Sequence, residues 1–374
     1  MKIISNRKKL LEAVKIASKA ASNSVNRPEL KHILIEADVS SCELKLTCTN
    51  TEVTIRKILS DTKILREGRV LLPAQLFCDM LKLLDGEDVS LELGTNQSVT
   101  IQCNQSIYTI MSLGTENFPN ADICFPQTTV MIRGLSALIK KSMFAAMPNS
   151  DNLSCQGSYI SFSAMRTFVA TTDKYRLSGA SSDCCADNDL NVFIHQRVLN
   201  LLCSVIRPAD TFFAGVADNQ FVLFNKDMIF CSRLTEIKYP DVEKLINAVQ
   251  KSYGALVPAK DLYHAFDIIK SSGTNIGKFV IENESITLSS ESEKGKFKQL
   301  IQAQNTIPSA KPFCYSIKQM LDFLNVVTGD VEVIIADNGK ILLYAENCKY
   351  LVMPYRDLVA ERNNKTTHVS ADAA

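Results

Sequence analysis

The chain has 374 residues, of which 46% are hydrophobic and 22% are charged. These are the proportions of an ordinary globular protein, and they exclude wholesale disorder. At roughly 150 residues per domain, the length predicts two or three domains. No apolar run reaches the roughly 18 residues that a membrane-spanning helix needs. Charges at Lys2 and Arg7 interrupt the N-terminus before a signal-peptide core can form. We therefore expect a soluble, cytoplasmic protein.

The cysteines and histidines form no metal-binding or catalytic pattern. Twelve cysteines occur without a C-x-x-C motif, and most lie inside apolar segments, which predicts small buried side chains in a reducing compartment. The four histidines, His32, His195, His264 and His368, show no metal-ligand spacing. We therefore expect no metal, no other cofactor and no histidine-based hydrolase.

One pattern recurs six times: a short apolar strand, one or two linking residues and an amphipathic helix. The strands start at Ile3, Val70, Val130, Val192, Leu256 and Phe313. Successive starts lie 67, 60, 62, 64 and 57 residues apart, and such a nearly constant period indicates a repeated supersecondary unit. After each helix, runs such as 43–47, 89–93 and 286–289 alternate between apolar and polar residues. This alternation predicts antiparallel strands.

Two such units make about 125 residues, a normal domain size. Six units therefore predict an α+β protein of three similar domains, each with two repeats of helix plus antiparallel sheet. Turn-forming sequences mark the boundaries: N-F-P-N at 117–120 precedes one near residue 127, and K-Y-P-D at 238–241 precedes another near 252. The segment 242–249, between that turn and the boundary, has a helical pattern.

Each predicted helix has two faces. In the first helix, a 4, 3, 4 spacing defines an apolar face for burial against a sheet, formed by Leu10, Val14, Ala17 and Ala21. The same spacing defines a charged face, formed by Lys8, Glu12, Lys15 and Lys19. This second face remains available to solvent or a ligand.

Positive charge is concentrated in the helices, although the whole chain carries a net charge of only +1. The segments 1–26, 73–85, 133–147, 196–208, 258–270 and 316–326 have net charges of +5, −1, +3, +2, 0 and 0. Together they carry +9, which leaves −8 for the rest of the chain. If the helices share one side of the molecule, that side can bind phosphates without base specificity. The alternative is that the lysines decorate solvated helix surfaces.

Five motifs occur in a fixed order along the chain. They are M-K-I at 1–3 with Arg7 and Leu10, L-G-T-E-N-F-P-N at 113–120, A-T-T-D-K-Y-R-L at 170–177, K-Y-P-D at 238–241 and V-M-P-Y-R at 352–356. The third is similar to a T-D-x-x-R-L motif and the last to M-P-x-R. Together they resemble the bacterial DNA polymerase III β subunit, or β sliding clamp, family, over about residues 1–357.

The resemblance implies a homodimeric ring in which two subunits close head to tail around duplex DNA, with helices lining the hole and sheets forming the rim. It implies neither catalysis nor base readout. The implied domains are 1–127, 128–252 and 253–357, followed by a flexible tail at 358–374. The implied partners are duplex DNA, a second copy of the chain, and DNA polymerase subunits, the clamp loader and repair proteins that dock through short linear motifs.

The resemblance also assigns residues to three sites. A pocket for a Q-x-x-L/M-x-F-like peptide would involve Cys155, Thr172, Lys174, Tyr175, Arg176, Leu177, Pro240, Leu245, Leu351, Met353, Pro354, Tyr355 and Arg356. The DNA-facing residues would be Lys8, Lys15, Lys19, Arg27, Lys141, Arg197 and Arg207. The dimer interface would pair the strand around 106–108 with that around 296–298 and contain Leu76, Met80, Tyr108, Ser271, Ser272, Lys296 and Lys298. In the pocket, apolar side chains would form the floor, and arginine and tyrosine at the rim would orient the peptide.

The chain departs from the family pattern at several positions. D-N-L-S-C-Q-G at 151–157 stands where the family has R-P-x-L-x-G, so Cys155 should deepen one subsite. Ser271 and Ser272 replace apolar interface residues, which predicts weaker ring closure. Lys174 and Tyr175 make the rim bulkier and more basic than a Gly-His pair, which predicts a preference for acidic peptide flanks.

Other functions stay open at the level of sequence. G-T-N-I-G-K-F at 273–279 resembles a phosphate loop, but it has three residues between the glycines instead of four and Phe279 where Ser or Thr must hold magnesium. The chain could be a clamp paralogue that serves an accessory polymerase or a mobile element. It could also be an interaction scaffold that never binds DNA. Retention on circular DNA would separate the scaffold from both clamp hypotheses.

Overall fold

The computed structural model describes residues 1–22, 26–119, 123–182, 188–293, 295–309 and 311–355. Arg356 and the segment 358–374, for which the sequence predicts a flexible tail, lie outside these residues. The adjacent Cys184 and Cys185 also lie outside them.

The elements are numbered in chain order. The first third of the chain contains β1 (Lys2–Asn6), α1 (Arg7–Ala17), β2 (His32–Asp38), β3 (Glu43–Thr49), β4 (Val53–Leu59), β5 (Lys63–Arg66), β6 (Gly68–Pro73), α2 (Ala74–Leu83), β7 (Asp88–Leu93), β8 (Ser98–Cys103) and β9 (Ser106–Met111). The second contains β10 (Val130–Arg133), α3 (Leu135–Lys140), β11 (Gly157–Phe162), β12 (Thr167–Thr172), β13 (Arg176–Ser182), β14 (Leu190–His195), α4 (Gln196–Val205), β15 (Thr211–Ala217), β16 (Gln220–Asn225), β17 (Met228–Arg233) and α5 (Val242–Asn247). The last contains β18 (Tyr253–Pro258), α6 (Ala259–Lys270), β19 (Ile276–Glu282), β20 (Ser285–Ser292), β21 (Gly295–Gln302), β22 (Gln304–Ile307), β23 (Phe313–Ser316), α7 (Ile317–Leu324), β24 (Asp330–Ile335), β25 (Ile341–Ala345) and β26 (Cys348–Val352).

All six predicted strand–helix units are present, and they begin at β1, β6, β10, β14, β18 and β23. Local chemistry fixes where the helices start. The Asn6 side chain accepts hydrogen bonds from the backbone N–H groups of Lys8 and Lys9 at the start of α1. The predicted helix after the K-Y-P-D turn is α5, and its cap, Asp241, accepts from the N–H of Lys244 at 3.0 Å.

The apolar face of α1 differs slightly from the prediction. Leu10, Val14 and Ala17 are buried, as expected, together with Ala13. Ala21 lies beyond the helix, because α1 ends at Ala17 and a single 3₁₀ turn, Ser18–Ala20, leads into extended backbone. Ala20 is buried in this turn, and Ala21 is half-buried and packs against the same core.

In the described part of the chain, four antiparallel sheets carry the helices. Their strand orders are β5-β1-β7-β8-β9, β10-β15-β16-β17-β4-β3-β2-β6, β14-β11-β12-β13-β26-β25-β24-β18-β22 and β21-β20-β19-β23. The eight-stranded sheet joins the first and second thirds of the chain through β4 and β17. The nine-stranded sheet joins the second and last thirds through β13 and β26. We call these two strand pairs the first junction and the second junction.

The main core lies between the sheets and the six repeated helices. Each of these helices contributes buried apolar side chains to one continuous cluster, and the helices contact one another in the pairs α1 with α2, α3 with α4 and α6 with α7. Seven of the ten described cysteines are buried, as their apolar surroundings in the sequence predict. No helix in the described part of the chain is long and apolar enough to cross a membrane.

Candidate functional site

The second junction brings together two motifs from distant parts of the chain. Leu177, in the T-D-x-x-R-L motif, lies opposite Leu351. The backbone N–H of Met353, in the M-P-x-R motif, donates to the carbonyl of Tyr175 at 2.9 Å. The two segments therefore form one surface between the second and third predicted domains.

An apolar cluster lies beneath this surface, separate from the main core. Its buried members are Phe168, Ala170, Leu177, Val242, Ile246, Leu342 and Leu351. Helix α5 supplies two of them, and the hydroxyl of Tyr239, just before α5, donates to the carbonyl of Ala170 at 3.1 Å. Leu177 and Leu351 are only 4% and 5% exposed. They form the buried apolar floor of this surface.

Exposed apolar side chains surround this floor. They are Tyr175, Leu245 and Met353, with exposures of 65%, 47% and 36%. Tyr355, 56% exposed, lies against β23 instead, where its N–H donates to the Cys314 carbonyl at 2.7 Å. Pro240 is also exposed, and Pro354 is half-buried. Isolated exposed apolar residues need no explanation, but several around one apolar floor are typical of a binding site.

A rigid turn presents the polar part of the rim. The Thr172 hydroxyl donates to the carbonyl of Arg176 at 2.7 Å and accepts from the N–H of Lys174 at 3.1 Å. The Asp173 carboxylate accepts from the N–H groups of Tyr175 and Arg176, both at 2.9 Å. These bonds hold Lys174 at a φ of 78° with its side chain exposed. Thr172 is itself buried, so it shapes the turn from below.

Arg176 does not reach the rim, which corrects the expectation that it orients a peptide. Its side chain is 9% exposed and donates to Asp173 at 2.9 Å and to Asp322 at 2.6 Å. It also donates to the carbonyl of Phe144 at 3.1 Å. A buried guanidinium needs paired carboxylates and filled hydrogen-bond positions, and this network supplies them. Arg176 therefore ties the turn to α7, which lies in the third predicted domain.

The network continues to a buried tyrosine. The Tyr350 hydroxyl donates to the carbonyl of Gln319 at 3.0 Å and lies 3.5 Å from Arg176 Nη1. Burial raises the pKa of Tyr350, so the hydroxyl keeps its proton and remains a donor at neutral pH. Cys155 also lies below the surface, at 1% exposure; it does not open a subsite to solvent.

The predicted DNA-facing residues fall into two groups. Lys8, Lys15, Arg27 and Arg197 are exposed, and Arg27 lies 3.9 Å from the Glu29 carboxylate. The other three take part in contacts between successive thirds of the chain. Their partners are the Ser204 carbonyl for Lys19 at 2.8 Å, Glu12 for Arg207 at 2.6 Å and Glu346 for Lys141 at 2.5 Å. The hydrogen bond from Lys141 lowers the pKa of the Glu346 carboxyl.

The predicted dimer residues lie around two strands that end their sheets, β9 and β21. Leu76, Tyr108, Ser271, Lys296 and Lys298 are exposed, and Met80 is half-buried. Ser272 does not belong to this surface, which corrects the prediction. It is 1% exposed, because its hydroxyl bonds to Thr274 at 2.9 Å and to Ser290 at 3.1 Å.

Sequence reasoning missed the acidic residues that complete these sites. Asp322, Glu12 and Glu346 pair with predicted residues that lie 146, 195 and 205 positions away. No local sequence motif predicts pairs of residues that lie so far apart in the chain. Only Glu12 had a visible signal, because it interrupts the lysines on the charged face of α1. Among the described residues, no group of three His, Cys, Asp or Glu side chains could hold a metal ion.

Comparisons with known proteins agree with this architecture. Residues 1–122 match the family model for the DNA polymerase III beta subunit, N-terminal domain. The chain is 25% identical to the beta sliding clamp of Bacillus subtilis over 347 residues, which covers 88% of this chain and 91% of that protein. It is 24% identical to the beta sliding clamp of Staphylococcus aureus over 335 residues, covering 83% and 86%.

Solved structures show the same fold at lower identity. The DNA polymerase sliding clamp of Bacillus subtilis has a TM-score of 0.86 at 22% identity, covering 95% of this chain and 99% of that one. The DNA polymerase III subunit beta of Pseudomonas aeruginosa has a TM-score of 0.87 at 18% identity, covering 95% and 100%. The six strand–helix units on joined antiparallel sheets thus define a DNA clamp fold. Residues 1–122 thus match the N-terminal domain of the DNA polymerase III β subunit family, and the chain as a whole is similar to bacterial beta sliding clamps.

Proposed function

We propose that this chain is a DNA sliding clamp. Two copies close head to tail into a ring that encircles duplex DNA and tethers DNA polymerase subunits, the clamp loader and repair proteins. The domains of each copy are 1–127, 128–252 and 253–357. The protein performs no catalysis and acts in the bacterial cytoplasm, where its DNA lies.

The observation that carries this proposal is a register shared by both junctions. At the first junction, Ile55, the third residue of β4, lies opposite Phe230, the third residue of β17. At the second junction, Ser178, the third residue of β13, lies opposite Tyr350, the third residue of β26. Both aromatic side chains are 0% exposed. One rule therefore describes both junctions: the third residue of one strand lies opposite the third residue of the other.

The corresponding strands of the outer domains are β9 and β21, and both are edges of their sheets within the described chain. The third residue of β9 is Tyr108, and the third residue of β21 is Phe297. Tyr108 is 37% exposed, unlike its covered counterparts. An unpaired edge invites pairing. Under the shared rule, Phe297 of one copy lies opposite Tyr108 of the other, and Lys298 lies opposite Ile107. Two such contacts close a ring of twelve units.

A closed ring holds DNA by topology, so it needs no base readout. Its helices supply a positive surface whose contacts with phosphates are independent of sequence. The first two domains carry this charge, because segments 1–26, 133–147 and 196–208 have net charges of +5, +3 and +2, whereas both helix-bearing segments of the third domain are neutral. Weak contacts with phosphates allow the ring to slide.

Partner proteins bind at the second junction, where the exposed rim surrounds an apolar floor. Burying one leucine and one phenylalanine of an extended peptide contributes roughly 3–6 kcal/mol before ordering costs. That range suits an exchangeable contact of about micromolar affinity. A site that several partner proteins share must release one partner before it binds the next.

Retention on DNA tests the ring. The protein is loaded onto nicked circular DNA, and its retention is compared before and after the circle is linearised. Ile107→Lys, at a side chain that is 62% exposed, should leave the fold intact but place two lysines opposite each other at the closure. We expect wild type to stay on circles and leave linear DNA, and Ile107→Lys to leave both. Adding Lys298→Glu to Ile107→Lys should restore retention.

Equal retention of the wild type on circular and linear DNA would contradict topological binding. A protein that stays monomeric by light scattering well above micromolar concentration would contradict the ring. A scaffold that does not bind DNA would be absent from both substrates, which separates that alternative from the clamp.

The peptide site is tested separately by titrating a Q-x-x-L-x-F peptide. Met353→Asp puts a charge among the exposed apolar residues and should weaken binding at least tenfold. Val39→Asp is the matched control, because Val39 is 47% exposed on a distant hairpin. Leu177→Asp is unsuitable, since it would bury a charge in the floor. Equal binding by wild type and Met353→Asp would refute the assignment.

A further inference from the structure

Two candidate DNA-facing cations are held by carboxylates from another part of the chain. Arg207, which follows α4, lies 2.6 Å from Glu12 of α1, next to the first junction. Lys141, which follows α3, lies 2.5 Å from Glu346 in the turn between β25 and β26, next to the second junction. In both cases a positive charge that a phosphate could use is already paired.

The position of Glu12 makes its effect on DNA specific. It lies on the charged face of α1 between the exposed lysines Lys8, Lys15 and Lys19. Its side chain is 58% exposed, and that of Arg207 is 74% exposed. An ion pair so exposed contributes little to stability. A phosphate can therefore replace the carboxylate without disturbing the fold.

The second pair is held more firmly. The Lys141 and Glu346 side chains are 28% and 38% exposed. Glu346 also accepts a hydrogen bond from Thr328 at 2.5 Å, and Lys141 lies 3.4 Å from the Asn347 side-chain oxygen. A phosphate that displaces Glu346 from Lys141 therefore breaks more contacts than one that displaces Glu12 from Arg207.

We propose that Glu12 and Glu346 compete with DNA phosphates for Arg207 and Lys141 and thereby lower the affinity of the ring for DNA. The inference rests on the proposed function, because it requires DNA to pass along the helices. Each carboxylate withholds one cation from the phosphates. Glu12 releases Arg207 more readily than Glu346 releases Lys141. The acidic residues keep the contact weak enough for sliding, in opposition to the lysines around them.

The test measures the affinity for a short blunt-ended DNA duplex by fluorescence anisotropy over a range of salt concentrations. Each additional phosphate contact steepens the slope of log K against log salt by about 0.9 and is worth roughly threefold between 50 and 200 mM salt. We expect Glu12→Gln to raise the affinity at low salt about threefold and to steepen the slope by about one contact. Glu346→Gln should act in the same direction by a smaller amount.

Two controls separate this mechanism from a general change in charge. Glu236→Gln removes an exposed carboxylate from the linker between β17 and α5 and should leave affinity and slope unchanged. Combining Glu12→Gln with Arg207→Gln should return both to wild-type values, because the released cation is removed. Wild-type behaviour of Glu12→Gln, or a gain that persists in the double variant, would overturn the inference. Failure of the wild type to bind the duplex at any salt concentration would overturn this inference alone, because the proposed function is tested by retention on circular DNA.

Discussion

The two junctions are built on the same turn but carry different side chains. At the second junction, residues 173–176 form the turn described above. At the first junction, the Thr49 hydroxyl donates to the Val53 carbonyl at 3.1 Å and accepts from the N–H of Thr51 at 3.1 Å. The Asn50 side chain accepts from the next two N–H groups at 3.0 and 2.7 Å. Thr51 has a φ of 76°, close to the 78° of Lys174.

The contact across each junction is also the same. The N–H of Arg233 donates to the Glu52 carbonyl at 3.0 Å, just as that of Met353 donates to the Tyr175 carbonyl at 2.9 Å. The same hydrogen bonds therefore recur at both junctions, although the exposed side chains of the two turns differ. This recurrence is why the register can be transferred to the unpaired edges.

The side chains give each junction its own character. Val53, 2% exposed, stands at the position of Arg176 in the turn, and the first junction has an open, charged cleft of about 490 Å³ beside it. The second junction instead buries the Arg176 network, with the Phe323 and Tyr350 rings stacked 5.0 Å apart. Thr51 and Glu52 at the first turn correspond to Lys174 and Tyr175 at the second. The comparison indicates that the two turns share a backbone geometry and differ in their side chains alone.

The largest expected effect comes from giving the second junction the residue of the first. Arg176→Val removes the guanidinium and leaves the Asp173 and Asp322 carboxylates without their partner, which should cost about 3 kcal/mol of unfolding free energy. Arg207→Gln, which breaks the exposed pair at the first junction, should cost less than about 1 kcal/mol. Urea unfolding followed by circular dichroism measures both.

A rescue variant makes this prediction sharper. Combining Arg176→Val with Asp173→Asn and Asp322→Asn removes the unpaired charges and should recover at least half of the lost stability. Equal losses for Arg176→Val and Arg207→Gln would remove the distinction between a buried and an exposed junction.

Thiol labelling compares how easily the two junctions open. Cys231 lies in β17 and Cys348 in β26, and burial raises their pKa values to about 12 and about 11. Neither thiol reacts at pH 8 until its junction opens. We expect Cys231 to be labelled several times faster than Cys348 in mild urea, because Val53 occupies the position at the first junction from which Arg176 ties the second junction to Asp322. Mass spectrometry of labelled peptides gives the rates, and faster labelling of Cys348 would reverse the comparison.

The smallest effect concerns the rim. Lys174→Thr places the residue of the first turn in the second turn and removes a positive charge beside the proposed peptide site. It should weaken binding of an acid-flanked Q-x-x-L-x-F peptide about two- to fourfold and leave an uncharged peptide unaffected, since exposed charge pairs are weak. Thr51→Lys is the control and should change neither affinity. Equal losses for the two peptides would assign Lys174 a structural role.

The sequence predicts the repeated architecture well, because hydrophobic periodicity and turn residues are local signals. The six strand–helix units and α5 all follow from such patterns. Interactions across the junctions are different. The role of Arg176 depends on Asp322, which lies 146 residues away, and the burial of Ser272 depends on Ser290 in a neighbouring strand. A resemblance assigned these residues to sites, but only tertiary packing decides whether a side chain faces solvent.

The central claim, that one register closes all the junctions, is tested most directly by disulfide mapping. A chain carrying Tyr108→Cys and Phe297→Cys places two thiols opposite each other at the closure, where directly paired strand residues have the Cα separation that a disulfide requires. We predict that mild oxidation yields a covalent dimer linked between positions 108 and 297, above the background of the wild type. A chain with Tyr108→Cys and Gln299→Cys, two residues out of register, should not form this link. No cross-link in the first chain, or equal cross-linking in both, would contradict the shared register.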